Sequence, residues 1–352
     1  MPDWLTESQA VALVGVFGGI VLGLAARLGR FCTLGAIEDA LYGGSDTRMR
    51  MWALAIGTAV TGTFALIGAG LLNETESFYL SIRWMPMASI IGGLMFGYGM
   101  ALAGNCGYGA IARLGGGDLR SFVIVLVMGA STYVVLAGPL APIRNFFFRQ
   151  IDVTTGPPPG LAHHIARLTG LPLHGIGIAV GLVFIVTALW APALRRDRTA
   201  MFWSVMVGLA IVSGWAGTQY VSSNGFGALP VVSHSFSAPV GDTILWAMTG
   251  SLRPVNFAVG SVTGVWLGAF IGSLIKGHFR WEACEDPREL RRQIIGAAVM
   301  GAGAVIAMGC TVGQGMSAFS VLAVSAPVTF LSIFAGAALG LRQLIEGFKP
   351  AE

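Results

Sequence analysis

The chain has 352 residues, with 21 Lys and Arg against 17 Asp and Glu, and it is 55% hydrophobic but only 11% charged. Soluble domains carry roughly a quarter charged residues, so a chain with a mean hydropathy of +0.74 cannot cover its surface in water. The net charge of +4 and the lack of any basic run longer than Arg195-Arg196-Asp197-Arg198 exclude nucleic-acid binding. The composition reads as an all-α integral membrane protein. Glycine, at 51 residues without a Gly-X-Y period, permits close helix approach and broken helices in lipid.

The amino-terminal stretch Met1 to Glu7 lacks the basic region of a signal peptide, so the apolar run from about Ala10 reads as a retained span. Runs of about 17 to 22 apolar residues then fall near residues 10–28, 51–72, 87–104, 121–140, 173–191, 201–221, 255–275, 294–309 and 325–341, about nine transmembrane helices. Arg and Lys concentrate in the connections after the odd-numbered spans, which predicts a cytoplasmic C-terminus and an external N-terminus. Residues 141–172 resist this rule with Arg144, Arg149 and Arg167, and they carry Pro157-Pro158-Pro159. The stretch reads as a Pro-rich linker loop between an N-terminal half-repeat, 1–140, and a C-terminal half-repeat, 173–352. Trp52, Trp84 and Trp203, near span ends, read as interfacial anchors.

One pattern recurs. Gly18, Gly23, Cys32 and Gly35 share the spacing G-x4-G-x8-C-x2-G with Gly92, Gly97, Cys106 and Gly109 and with Gly296, Gly301, Cys310 and Gly313. A weaker fourth copy, Asn224-Gly225-Phe226-Gly227-Ala228, matches Cys106 to Ala110 with asparagine in the thiol slot. In each copy an apolar helix meets a glycine-rich break and then a segment too short to span, such as Ala36 to Leu41 or Gln314 to Ala323. Irregular backbone at membrane depth survives only where protein buries it or a cavity is lined. Short re-entrant helices around a lumen are therefore expected, with the halves as two inverted pseudo-repeats, the architecture of secondary transporters. The N-termini of the short segments would favour an anion.

Three thiols in one repeated slot make Cys32, Cys106 and Cys310 the candidate substrate path. A neutral thiol is a weak donor and a soft acceptor, suited to many weak contacts with a sulfur-bearing anion. Asn105 and Gln314 are amides at the breaks, serving either an oxyanion or the freed backbone. Glu38 and Asp39 read as a solvated helix-end pair near Arg30, His163-His164 as a loop pair, and Cys284 lies outside the repeat. No C-x-x-C pair suggests a metal site, and no cofactor is implied.

Gly29-Arg30-Phe31-Cys32, Gly104-Asn105-Cys106-Gly107 and Gly309-Cys310-Thr311-Val312-Gly313-Gln314-Gly315 resemble the three cysteine motifs of the YeeE/YedE family of bacterial membrane proteins. The resemblance covers nearly the whole chain, including the stretch from Trp246 through Asn256 to Gly272, and departs from the commoner Gly-Gly-Cys at Asn105. It implies nine transmembrane helices with re-entrant helices in an hourglass shape, in the bacterial inner membrane. It also implies thiosulfate uptake rather than enzymatic catalysis, and carries the path to Cys32, Cys106 and Cys310. A TusA-like cytoplasmic sulfur carrier is the implied partner, alongside membrane lipid, and a selenium or other sulfur compound is the alternative cargo. Two other classes compete less well. Gly107-Tyr108-Gly109 is similar to a potassium filter but lacks its Thr-Val, and a thiol-redox enzyme would need resolving cysteines nearby.

Overall fold

The computed structural model describes residues 6–150, 158–225, 229–283 and 286–347. Among them the chain is helical, without a named strand, in the order α1 (Glu7–Leu28), α2 (Thr33–Leu41), α3 (Thr47–Gly68), α4 (Phe78–Ser81), α5 (Pro86–Ala103), α6 (Gly107–Gly115), α7 (Leu119–Leu136) and α8 (Ala141–Phe147). There follow α9 (Leu161–Thr169), α10 (Leu173–Trp190), α11 (Pro192–Arg196), α12 (Arg198–Asn224), α13 (Ala238–Thr249), α14 (Phe257–Ile275), α15 (Pro287–Ile306) and α16 (Ser325–Ile345). A π-helical stretch, Gly313–Ala318, lies between the last two. The protein is an all-α multi-pass membrane protein.

Nine of these helices have 18 residues or more, each overlapping one expected span, and eight are long and apolar enough to cross a membrane. The other, α15, opens on Arg288, Glu289, Arg291 and Arg292, which shortens its apolar stretch. On α10, Leu182, Val183, Val186 and Trp190 are exposed, an apolar face that suits lipid.

The long helices pair symmetrically. Helix α1 packs on α14 and α12, and α3 packs on α12; α5 packs on α16 and α15, and α7 packs on α15. Glycine makes these approaches possible. A Cβ at Gly23 would lie 2.2 Å from the Val265 carbonyl oxygen, at Gly97 2.0 Å from that of Ile333, and at Gly296 2.5 Å from the Ala103 nitrogen. The upstream glycines of the repeat are thus packing residues, because lipid supplies no hydrophobic drive between helices and close contact must supply it.

Between α12 and α13 the chain turns back into the core. Thr218 Oγ1 donates to the Val232 carbonyl at 2.8 Å, and Ser233 Oγ donates to the Ile211 carbonyl at 2.8 Å. At 1.5 Å per residue, Ile211 lies about 20 Å along α12 from its end, so this segment reaches mid-depth before α13 begins. Helix α13, absent from the expected spans, is among the described residues a fourth short helix that follows a break, alongside α2, α6 and the segment after Cys310.

Three expectations are corrected. The described part of the 141–172 linker is not simply loop: α8 and α9 lie in it, and His163-His164 is helical. Its Leu161 N–H donates to the Leu322 carbonyl at 2.7 Å and Pro159 accepts from Val324 at 3.0 Å, because the break before α16 leaves those groups unpaired. Trp52 is not an interfacial anchor. It is 2% exposed and stacks on Phe31 with ring centroids 4.8 Å apart, since α3 lies inside the bundle.

Candidate functional site

The three cysteines share one local geometry. The residue two before each has left-handed backbone: Arg30 at φ 54°, Gly104 at 76° and Met308 at 57°. For Arg30 and Met308 this costs about 1–2 kcal/mol each, so the turn is imposed by the surrounding packing. Each cysteine carbonyl then accepts the first helical bond of the short segment, from Ala36 at 3.1 Å, Ala110 at 2.8 Å and Gln314 at 2.8 Å. All three thiols thus stand at the N-terminus of a short helix, beside its leading N–H groups.

Two of the sulfurs act as caps. Cys106 Sγ accepts from the Gly109 N–H at 3.3 Å, and Cys310 Sγ accepts from the Gly313 N–H at 3.3 Å. Cys310 Sγ also accepts from the Phe236 N–H at 3.3 Å and lies 3.7 Å from Ser235 Oγ, which brings the start of α13 to the same point. A sulfur that accepts through its lone pairs leaves its own S–H free to donate. Cys32 makes no such cap bond and is half-exposed. Cys106 lies within electrostatic range of both other cysteines, and the Thr311 hydroxyl faces its sulfur. The hydroxyls of Thr33 and Thr311, each following a cysteine, are buried without a full hydrogen bond, a costly state that marks polar groups available to a ligand.

Two cavities flank this point. The first, about 480 Å³, opens among the start of α1, the end of α15 and the start of α14; Tyr79, Ser233, Ser235, Met308 and Gly309 form part of its mostly apolar wall. The second, about 380 Å³, opens at the other end of α1; its wall holds Arg27, Arg30, Arg48, Arg113, Lys276, Cys32, Asn105 and Gly109, with Glu38 the one carboxylate among the described residues. Cys106 is fully buried, and its neighbours Asn105 and Gly109 line the second cavity. Arg48 pairs with Asp39 at 3.1 Å, whereas Arg30 and Arg113 have no ion pair among the described residues. Burial first, then the guanidiniums of Arg30 and Arg27, lowers the pKa of Lys276 from its ordinary value. The second vestibule is therefore a crowded cationic cup whose unpaired charge favours an anion.

The profile of a family described as "Sulphur transport" matches residues 28–339. This chain belongs to that family. The sulphur-transport resemblance read from the three cysteine motifs therefore holds over nearly the whole length. Within the sulphur-transport family the chain is similar to the thiosulfate transporter TsuA of Escherichia coli (strain K12), 28% identical over 329 residues, covering 87% of each chain. It is 24% identical over 318 residues to the TsuA of Spirochaeta thermophila, covering 88% of this chain and 92% of that protein. A probable transporter YedE of Escherichia coli is 25% identical over 147 residues, 41% of this chain and 35% of that one.

In this sulphur-transport chain Cys32, Cys106 and Cys310 come together with Gly35, Gly109 and Gly313. Asn105 is 2% exposed, its side chain makes no hydrogen bond among the described residues, and it lines the cationic vestibule. Gln314 instead serves the backbone: its Nε2 donates to the carbonyls of Ala307 and Met308 at 3.1 Å each, which the end of α15 leaves free. Asn224 is exposed at the end of α12, donating to the Tyr220 carbonyl at 2.8 Å, and is not brought to the cysteines. Residues 226–228 of that weaker copy and Cys284 lie outside the described residues. The fourth break is at Ser237, which precedes α13 with Pro239 in its first turn. Ser237-Ala238-Pro239 is a helix-start signal that could have located it. The Gly107-Tyr108-Gly109 stretch is helical in α6, with the Tyr108 hydroxyl donating to the Leu22 carbonyl at 2.6 Å, so it offers no ring of free carbonyls. The arginine cup was visible in the sequence only as orientation charge.

Proposed function

We propose that the chain takes up thiosulfate across the bacterial inner membrane. In this reading the anion enters the apolar vestibule, meets Cys310, passes Cys106 and leaves past Cys32 into the cationic vestibule. The observation that carries it is the convergence of three cysteines, each at the same kind of helix break, between two vestibules at opposite ends of the bundle. The thiols act by hydrogen bonding: two sulfurs already accept backbone N–H groups, so each S–H can donate to the cargo without forming a thiolate. The cargo passes unmodified, and mass spectrometry of protein trapped during turnover is expected to find intact thiols rather than a persulfide. The symmetric pairing of long helices supports reading the halves as inverted copies. The arginine-rich ends support a cytoplasmic cationic vestibule, a cytoplasmic C-terminus and delivery to a TusA-like carrier.

Radiosulfur uptake into proteoliposomes tests the reading. Sulfate carries the same charge of about −2, so selectivity must come from the terminal sulfur, which sheds water more readily and suits a weak S–H donor. Three contacts of about 1 kcal/mol each would supply a roughly hundredfold preference. Equimolar sulfate is therefore expected to leave thiosulfate entry nearly intact; a fall by half would remove the thiols as the source of selectivity.

Arg30→Gly separates folding from transport. Glycine relieves the left-handed strain at φ 54°, so thermal stability is expected to hold or rise. Uptake is expected to slow several-fold because the cup loses an unpaired cation. Unchanged uptake would show that Arg30 does not act on the anion.

A further inference from the structure

We propose that the apolar vestibule contains a proton-binding site, the Asp242 carboxylate paired with the Tyr133 hydroxyl, and that the anion binds there together with a proton on that carboxylate. This rests on the proposed uptake of thiosulfate and adds what accompanies it.

Among the described residues of that wall, Asp242 is the one with a formal charge. It sits half-buried on α13, packed on α7 and α14, two helices apolar enough to cross a membrane, and an ionisable group among such helices is retained at a cost and marks a function by default. The wall leads to Ser235 and Gly309, on either side of Cys310. An ionised carboxylate on the approach to an anion site repels the cargo, and a bound proton removes that repulsion.

The surroundings isolate the pair. Helix α13 packs on α7 and α14. From α7 the facing titratable group is Tyr133, whose hydroxyl bonds Asp242 Oδ1; Arg120, at the other end of α7, is paired with Asp118. Helix α14 has no titratable side chain. Arg253, exposed beyond the end of α13, is within electrostatic range, and Tyr79 stands on the same vestibule wall. The pair is held by close packing: a Cβ at Gly241 would fall 2.3 Å from the Tyr133 ring. A tyrosine hydroxyl donates to a carboxylate and accepts from a carboxylic acid, so this bond persists in both protonation states. The carboxylate can then titrate without local unfolding.

Linkage makes the effect reciprocal: if a proton helps the anion bind, the anion draws in a proton. The test is titration of the purified full-length protein with sodium thiosulfate in weakly buffered solution, following pH. About one proton taken up per anion bound is expected, with affinity falling up to tenfold per pH unit above the carboxylate's own midpoint. Asp242→Asn is expected to abolish both proton uptake and pH dependence of binding. Tyr133→Phe is expected to keep proton uptake but move its midpoint. Binding by the unmodified protein without proton uptake overturns this inference alone, as does proton uptake that persists in Asp242→Asn or an unmoved midpoint in Tyr133→Phe. No binding at any pH overturns the proposed function and this inference with it.

Discussion

Cys106→Ala is expected to lose about fivefold or more of thiosulfate uptake, the loss that corresponds to about 1 kcal/mol of interaction with the passing anion. Its sulfur is fully buried, so water cannot replace the S–H there, and among the described residues the neighbouring hydroxyl donor is that of Thr311, which faces it. Cys32→Ala and Cys310→Ala are expected to fall similarly, but for partly different reasons. Removing the Cys310 sulfur also leaves the Phe236 and Gly313 N–H groups without their acceptor, and a buried unpaired donor costs about 1–3 kcal/mol. Loss of folded protein must therefore be read first, by size-exclusion chromatography in detergent. Serine separates the two effects. Cys106→Ser keeps an acceptor for Gly109 and a donor for the cargo, so folding holds, yet the harder hydroxyl should slow thiosulfate. Cys284→Ala, outside the repeat, should be near neutral. Equal uptake by all four alanine variants would remove the repeat as the marker of the path.

Gly97→Ala should produce the largest loss of stability. Its Cβ would lie 2.0 Å from the Ile333 oxygen and 2.7 Å from the Ala337 nitrogen, both backbone atoms of α16 that cannot swing aside. Helices α5 and α16 would have to separate, and overpacking of this kind costs about 1–3 kcal/mol or more. Gly109→Ala is the contrasting case. The nearest atoms to its Cβ are Asn105 Oδ1 at 3.3 Å and Cys106 Sγ at 3.6 Å, and alanine favours a helix over glycine by about 1 kcal/mol. Thermal unfolding should therefore drop markedly for Gly97→Ala and hold for Gly109→Ala. Uptake should fall in the latter, because the new methyl stands beside the thiol. A Gly97→Ala protein that melts with the unmodified one would show that α5 and α16 do not depend on this contact.

The two glycines occupy different slots of one repeat, and the repeat alone could not assign them. Spacing established that Gly18, Gly23 and their equivalents recur with the cysteines. Whether a glycine exists for helix contact or for room beside a thiol depends on what lies across from it. The amide at residue 314 is similar: two roles were open, and the free carbonyls of Ala307 and Met308 decided between them.

Membrane class, the positions of the long helices and the three cysteine breaks were determined by sequence alone, because crossing lipid demands a local run of apolar residues and a break demands local glycine or strain. Tertiary structure decided the rest. It made Ser237 rather than Asn224 the start of the fourth short helix, carried Trp52 into the core and gathered Arg27, Arg30, Arg48, Arg113 and Lys276 into one cup. Those residues come from α1, α3, α6 and the ends of α1 and α14, far apart in the chain. Hydropathy is a property of one segment at a time, whereas a shared cavity wall exists only once the helices have packed.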